Sequence, residues 1–175
     1  NARRFRPAAV LGVFGATAAA ARVFALSAEQ TAHALGLATQ MAAGHGQVWM
    51  EGGSEFTTQL GLAARNGLVA AQLARAGATA VPHAFEGVSG FYRAFAGMEV
   101  DTTQILAGLG RQWALPDVTV KMFPVCAALQ GPVHLTREML SGLMIGLENV
   151  REVHLTLNPF EADFNGVDNA GDIAT

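Results

Sequence analysis

The sequence reads as a mostly α chain with an α+β part, and three observations carry that reading. Apolar residues recur at helical spacing up to about residue 112. Helix punctuation brackets them, notably Ser27 with Gln30 and the isolated Gly77. After Trp113 the pattern changes to short β-like runs around one further helix. The expected division is therefore a helical part over residues 1–112 and an α+β part over 113–175.

Each element has its own warrant. Residues from about Ala8 to Leu26 are Ala-rich, a helix whose small side chains let a neighbour approach closely. Ser27 and Gln30 form a capping-box pair opening a helix that carries Ala32, Leu35 and Ala42 to about Ala43. Gly44, Gly46, Gly52 and Gly53 then punctuate a loop holding Trp49 and Glu51. A helix from about Thr58 to Ala76 places Leu60, Ala64, Leu68, Ala71 and Leu73 at helical spacing, with Gly77 as its stop. Short helical pieces follow over Pro82 to Phe85 and Gly90 to Ala96, and Thr102 or Thr103 caps another ending near Gly108 or Gly110. Val118-Thr-Val120 reads as a short strand, and Pro132 to Leu147 as a helix. Val153, Leu155 and Leu157 alternate with His154 and Thr156, the period of a half-buried strand, which Asn158-Pro159 ends.

Composition narrows the class. With 51% apolar and 14% charged residues in 175, the chain is apolar for a free-standing domain. That surplus points to a piece of a larger protein or to an obligate oligomer. Asn1 at the start and the loop-like Asn165 to Asp172 near the end fit a fragment. A net charge of −3 argues against nucleic-acid binding, and Arg3, Arg4 and Arg6 have no aromatic-interleaved basic face behind them. One cysteine excludes an internal disulfide. Pro7 to Ala21 is apolar apart from Thr17, but the run is short for a bilayer, rich in Ala and Gly, and broken by Arg22. A packed helix is expected there, not a membrane segment.

Chemistry concentrates in Lys121-Met-Phe-Pro-Val-Cys-Ala-Ala-Leu-Gln-Gly-Pro132, where a cation, a lone thiol and a carboxamide lead into a helix. Unpaired first-turn N–H groups and the helix dipole favour anions at such a place. Other signatures are absent. The five His residues show no HxxxH or HxH spacing and no Cys pair accompanies them, so no zinc site is expected. Neither GxGxxG after a strand nor a GxSxG elbow occurs.

Six stretches resemble the MmgE/PrpD family in the family's order: Arg6 to Arg22, Glu51 to Glu55, Gln59 to Gly67, Phe85-Glu-Gly87 with Gly90 to Phe95, Lys121 to Cys126, and Asn158 to Ala162. The family includes 2-methylcitrate dehydratases, cis-aconitate decarboxylases and iminodisuccinate epimerases. The resemblance implies a fragment of a two-domain protein, with a large all-α domain, a smaller α+β lid and the active site in the cleft between them. It also implies a cytoplasmic homodimer that works without cofactor or metal on a small carboxylic acid. Departures are specific. Arg6, Phe56 and Gln59 stand where many dehydratases and decarboxylases carry His, Lys and His, and Cys126 stands where the decarboxylase has His. Glu55, Gln59, the Ala64 to Gly67 stretch, and Pro124 to Cys126 with Gln130 and Pro132 are more similar to the iminodisuccinate-epimerase-like branch.

The family's reactions break a bond at carbon beside a carboxylate, which needs a base and cations for the substrate and its developing charge. Lys121 is the first candidate, as general acid/base or carboxylate clamp, against a solvated strand-end Lys. Cys126 is a second base, delivering a proton on the opposite face, or else a buried inert thiol. Arg6 is a carboxylate-binding candidate in place of the family's His, or a surface cation. Gln59 and Gln130 either bind substrate oxygens or satisfy backbone groups, and Glu55 is a base or a helix-capping carboxylate. Trp49 and Phe56 are apolar walls or core. The leading expectation is epimerisation by proton abstraction; the alternatives are a dehydratase-like or decarboxylase-like lyase, and a non-catalytic homologue.

Overall fold

Pro7 and Ser27 decide where the first two helices begin. Pro7 occupies the first helical position, where its missing N–H costs nothing. Ser27 Oγ accepts from Gln30 N at 3.1 Å while Gln30 Oε1 accepts from Ser27 N at 3.0 Å, the expected capping box. The computed structural model describes residues 5–143, 146–154 and 156. The chain divides into two units, Asn1–Gly108 and Leu109–Thr175.

The first unit holds α1 (Pro7–Val23), α2 (Ala28–Ala38), α3 (Val48–Glu51), α4 (Glu55–Arg75), α5 (Phe91–Ala96) and α6 (Thr102–Leu106). Its centre is α1 against α4, with α2 packed on both. The two long helices touch at backbone level. A Cβ on Gly67 would stand 2.6 Å from Ala16 Cβ and 2.7 Å from both Thr17 N and Val13 O. Thr17, fully buried at this crossing, donates its hydroxyl to Val13 O at 2.7 Å. Close approach through small residues was the expectation for the first helix, and it extends to α4.

The face of α4 differs from the leucine spacing. Of Leu60, Ala64, Leu68, Ala71 and Leu73, only Ala71 is buried; the inward stripe is Gln59, Ala63, Gly67, Ala70, Ala71 and Ala74. Leucines are too wide for a crossing this tight, so they face outward and account for part of the apolar surplus. Bulk enters the core elsewhere. Phe14 meets Phe91 at 4.9 Å and Phe85 at 5.2 Å between ring centroids, and Phe95 meets Phe91 at 4.7 Å and Phe5 at 5.0 Å. This aromatic layer covers Val10, Val13, Ala38 and Ala70.

Two helices end in the same way with different residues. Gly77, φ 94°, sends Ala78 N to Leu73 O and its own N to Ala74 O, both at 3.0 Å. Ala25, φ 52°, plays that part for α1, with Leu26 N on Ala21 O at 3.0 Å and Ala25 N on Arg22 O at 3.2 Å. The cap of α6 is Asp101, which accepts from Thr103 N at 3.0 Å, and not Thr102 or Thr103. The Pro82 to Phe85 stretch forms turns without a helix.

The second unit holds α7 (Gln130–Leu143), preceded by a 3-10 turn at Ala127–Leu129, with further 3-10 turns at Leu115–Asp117 and Leu147–Asn149. Among the described residues there is no strand. Val118 to Val120 is unpaired chain, because alternating β-branched residues supply propensity and a strand also needs a partner for its N–H and C=O groups. Val153, His154 and Thr156 are likewise outside regular structure, while Leu155, Leu157 and the Asn158-Pro159 stop lie outside the described residues. So do Arg3 and Arg4 and the Asn158 to Ala162 stretch. No helix of the described residues is long and apolar enough to cross a membrane.

Candidate functional site

In the first unit, Arg6 and Gln59 are brought together by the start of α1 and the first turns of α4. Arg6 ends the extended piece before Pro7, and its N–H bonds Gly44 O at 2.9 Å beside an isolated antiparallel bridge between Phe5 and His45. That pairing fixes the backbone from which the guanidinium reaches inward. Arg6 Nη1 donates to Phe56 O at 2.6 Å and to Gln59 Oε1 at 3.2 Å, and its Cζ lies 4.5 Å from the Phe56 ring centre. Gln59 Nε2 donates to His45 O at 3.0 Å. Both side chains are 8% exposed. Burial lowers the pKa of the Arg6 guanidinium from its ordinary value.

Glu55 is exposed at the first position of α4, where a carboxylate faces the positive helix end. Phe56 is part of the Arg6 cluster as the ring beneath the guanidinium. Trp49 lies in α3. Sequence reasoning missed His45 and Gly44, whose backbone carbonyls receive Gln59 and Arg6; no residue type marks them, since the backbone does the work.

In the second unit, Lys121, Cys126 and Gln130 belong to one folded stretch. Phe123 to Val125 turns around Pro124, with Val125 N bonded to Phe123 O at 2.8 Å. Cys126 is a half-buried free thiol at the start of the Ala127–Leu129 turn, and its carbonyl accepts from Leu129 N at 3.0 Å. Lys121 is exposed and, among the described residues, forms no hydrogen bond or ion pair. Gln130, the first residue of α7, points its carboxamide back into the turn. Its Oε1 accepts from Met122 N and Phe123 N, each at 3.0 Å. Its Nε2 donates to Phe123 O at 2.8 Å and Val125 O at 3.2 Å. The carboxamide is thus occupied by backbone, the alternative that the sequence reading had left beside substrate binding. The Phe123 ring adds a second hold, with Arg137 Cζ 5.3 Å from its centre and the His134 ring at 6.4 Å.

One further place carries titratable groups. A cavity of about 200 Å³ is lined by Glu86, Tyr92, Arg93, Glu99 and Val100. Its charges are already matched, His83 Nδ1 to Glu86 Oε1 at 2.7 Å and Arg93 to Glu99. Among the described residues no group of three or more His, Cys, Asp or Glu side chains gathers closely enough to hold a metal ion.

Comparison with known proteins agrees with the helical part. Residues 1–103 match the MmgE/PrpD N-terminal domain. A cis-aconitate decarboxylase of Aspergillus terreus is 31% identical over 162 residues, 86% of this chain and 33% of that protein. A cis-aconitate decarboxylase of Aspergillus terreus strain NIH 2624 / FGSC A1156 is 29% identical over 163 residues, with the same coverage. The chain thus spans about a third of the length of these curated relatives. With the family's N-terminal domain matched over more than half of its residues, this chain belongs to the MmgE/PrpD family.

Proposed function

We propose that the full-length protein is a cofactor-independent enzyme that breaks a bond at carbon next to a carboxylate in a small carboxylic acid. One observation carries the reading: similarity to two cis-aconitate decarboxylases runs over 86% of the chain and so beyond the matched N-terminal domain. That moves the balance from the epimerisation expected on sequence toward a lyase. Lys121 is assigned as general acid/base or carboxylate clamp. Its ammonium needs no reorganisation of an existing ion pair to meet an anion, since among the described residues it forms none. In a decarboxylation the electron pair of the cleaved C–C bond passes to carbon, and a proton donor at Lys121 or Cys126 quenches it. In a dehydration one of them takes the proton beside the carboxylate, that C–H pair forms the C=C bond, and the hydroxyl leaves with the C–O pair and a proton as water.

Epimerisation is the second reading, favoured by Lys121 and Cys126 standing at the two ends of one turn. Two proton-transfer groups are what inversion at carbon requires, one removing and the other returning the proton. Arg6 and Gln59 are assigned to the substrate carboxylate, the guanidinium supplying charge and the carboxamide orienting it. Glu55 is assigned to the positive end of α4. Residues 113–175 as the start of an α+β lid, and homodimerisation through the helical domain, complete the proposal.

Incubation of the full-length protein with cis-aconitate and related di- and tricarboxylic acids in D2O tests it. Release of CO2 or water supports a lyase; deuterium at the α-carbon without either supports an epimerase. Lys121→Ala is expected to abolish whichever reaction occurs, and full activity in that variant would refute the assignment of Lys121.

A further inference from the structure

We propose that Gln130 is a positioning residue: its carboxamide holds the turn between Lys121 and Cys126 in the shape that presents both, without touching substrate. This rests on the roles given to Lys121 and Cys126 above. A carboxamide has two N–H donors and an oxygen with two lone pairs. All four are used here, and every partner is main chain of Met122, Phe123 or Val125. Those residues lie between the ammonium-bearing and thiol-bearing positions, so the clamp spans the stretch that joins them. Among the described residues no other side chain hydrogen-bonds to that main chain.

Besides this clamp and the Phe123 ring against Arg137 and His134, the turn has little else among the described residues to fix its shape. It belongs to neither helix nor sheet, and its own backbone contributes the single Phe123–Val125 bond and the Cys126–Leu129 bond at its end. Phe123 O accepts from both Val125 N and Gln130 Nε2, at 2.8 Å each, so the clamp closes onto the carbonyl that defines the turn. Gln130 is the first residue of α7. The helix start is thereby transmitted to a loop five residues earlier, and loosening it lets the groups at positions 121 and 126 sample many separations. Misplacement of a reacting group by about 1 Å costs on the order of a hundredfold in rate. Met122 is 77% exposed and Phe123 and Val125 are half-buried, so water reaches the lost bonds and the fold tolerates their removal.

The side-chain chemistry separates positioning from bulk. Gln130→Glu keeps an acceptor for Met122 N and Phe123 N but sets a carboxylate against the carbonyls of Phe123 and Val125, while Gln130→Ala removes both halves. Full-length wild type, Gln130→Glu, Gln130→Ala and Lys121→Ala are compared by amide hydrogen exchange, melting temperature and steady-state kinetics on the acid turned over in D2O. The expected result is exchange at Met122 and Phe123 about tenfold faster in Gln130→Ala, smaller acceleration in Gln130→Glu, an unchanged melting temperature in at least one of the two, and kcat down about tenfold or more with KM nearly constant. Unchanged amide protection in Gln130→Ala would overturn the clamp. Lost protection with kcat intact, while Lys121→Ala is dead, would overturn the positioning role alone. Lys121→Ala retaining full kcat would instead refute the reading of Lys121 and this inference with it, a pattern distinguishable because Gln130 variants would then lose protection with no kinetic effect.

Discussion

Arg6 and Gln59, 53 positions apart, meet with 3.2 Å between Nη1 and Oε1, and the same carboxamide carries the contact on to His45 O at 3.0 Å. One buried Gln thus ties the start of α1, the loop after α2 and the start of α4 together, and it orients the guanidinium by doing so.

Gln59→Leu keeps the volume and removes both bonds. A buried guanidinium N–H and a carbonyl each lose a partner, which costs about 2 kcal/mol given the charged donor. The urea midpoint should fall at constant slope. An unchanged midpoint would show that the contact contributes nothing to the fold.

Two glycines of α4 should respond with opposite signs. Gly67→Ala forces a methyl to within 2.7 Å of Val13 O and Thr17 N, backbone atoms that cannot rotate away, and should cost about 3 kcal/mol. Gly61→Ala meets nothing within 4 Å and should stabilise by about 1 kcal/mol through helix propensity. Equal effects in thermal melts would contradict the α1–α4 crossing described here.

The two similar helix ends give a second paired test. Ala25 occupies a left-handed position, φ 52°, at a cost of about 1 kcal/mol relative to a residue without a Cβ. Ala25→Gly should therefore raise the melting temperature slightly, since the relieved strain exceeds the added unfolded-chain entropy. Gly77→Ala, at φ 94°, should lower it.

Acid should release the cap of α6. The Thr103 hydroxyl, 2.6 Å from Asp101 Oδ1, and then the Thr103 N–H hold the Asp101 carboxyl below its ordinary pKa. A depressed folded-state value means the contribution is complete above the unfolded-state pKa and is lost as pH falls through the folded one. Protection of the Thr103 amide, measured against its intrinsic exchange rate, should be high at neutral pH and fall in the acid range. Asp101→Asn should remove that pH dependence while keeping an acceptor.

Local signals were legible wherever the chemistry is local. The Ser27/Gln30 pair, Pro7 and Gly77 mark helix ends because each acts on backbone within a few residues. The leucine spacing in α4 reported the helical period correctly but not its phase, since apolar residues surround most of that helix and the tight crossing selects the smallest. Val118 to Val120 carried propensity without a partner. At the candidate site, Lys121 and Cys126 stood out as types, whereas Gln130 stayed open between substrate and backbone because nothing in the order of residues shows that its carboxamide turns back onto Phe123.

The order of residues by itself determined the helical class, the family, and the lone ammonium and thiol around one Phe-Pro turn, because short-range rules govern caps, turns and patterning. Tertiary structure alone decided which face of α4 goes inward, that Arg6 and Gln59 share a buried bond, and that the Gln130 carboxamide serves the backbone. Those outcomes depend on shape and hydrogen-bond satisfaction among groups distant in the chain or folded back upon it, and residue spacing encodes neither.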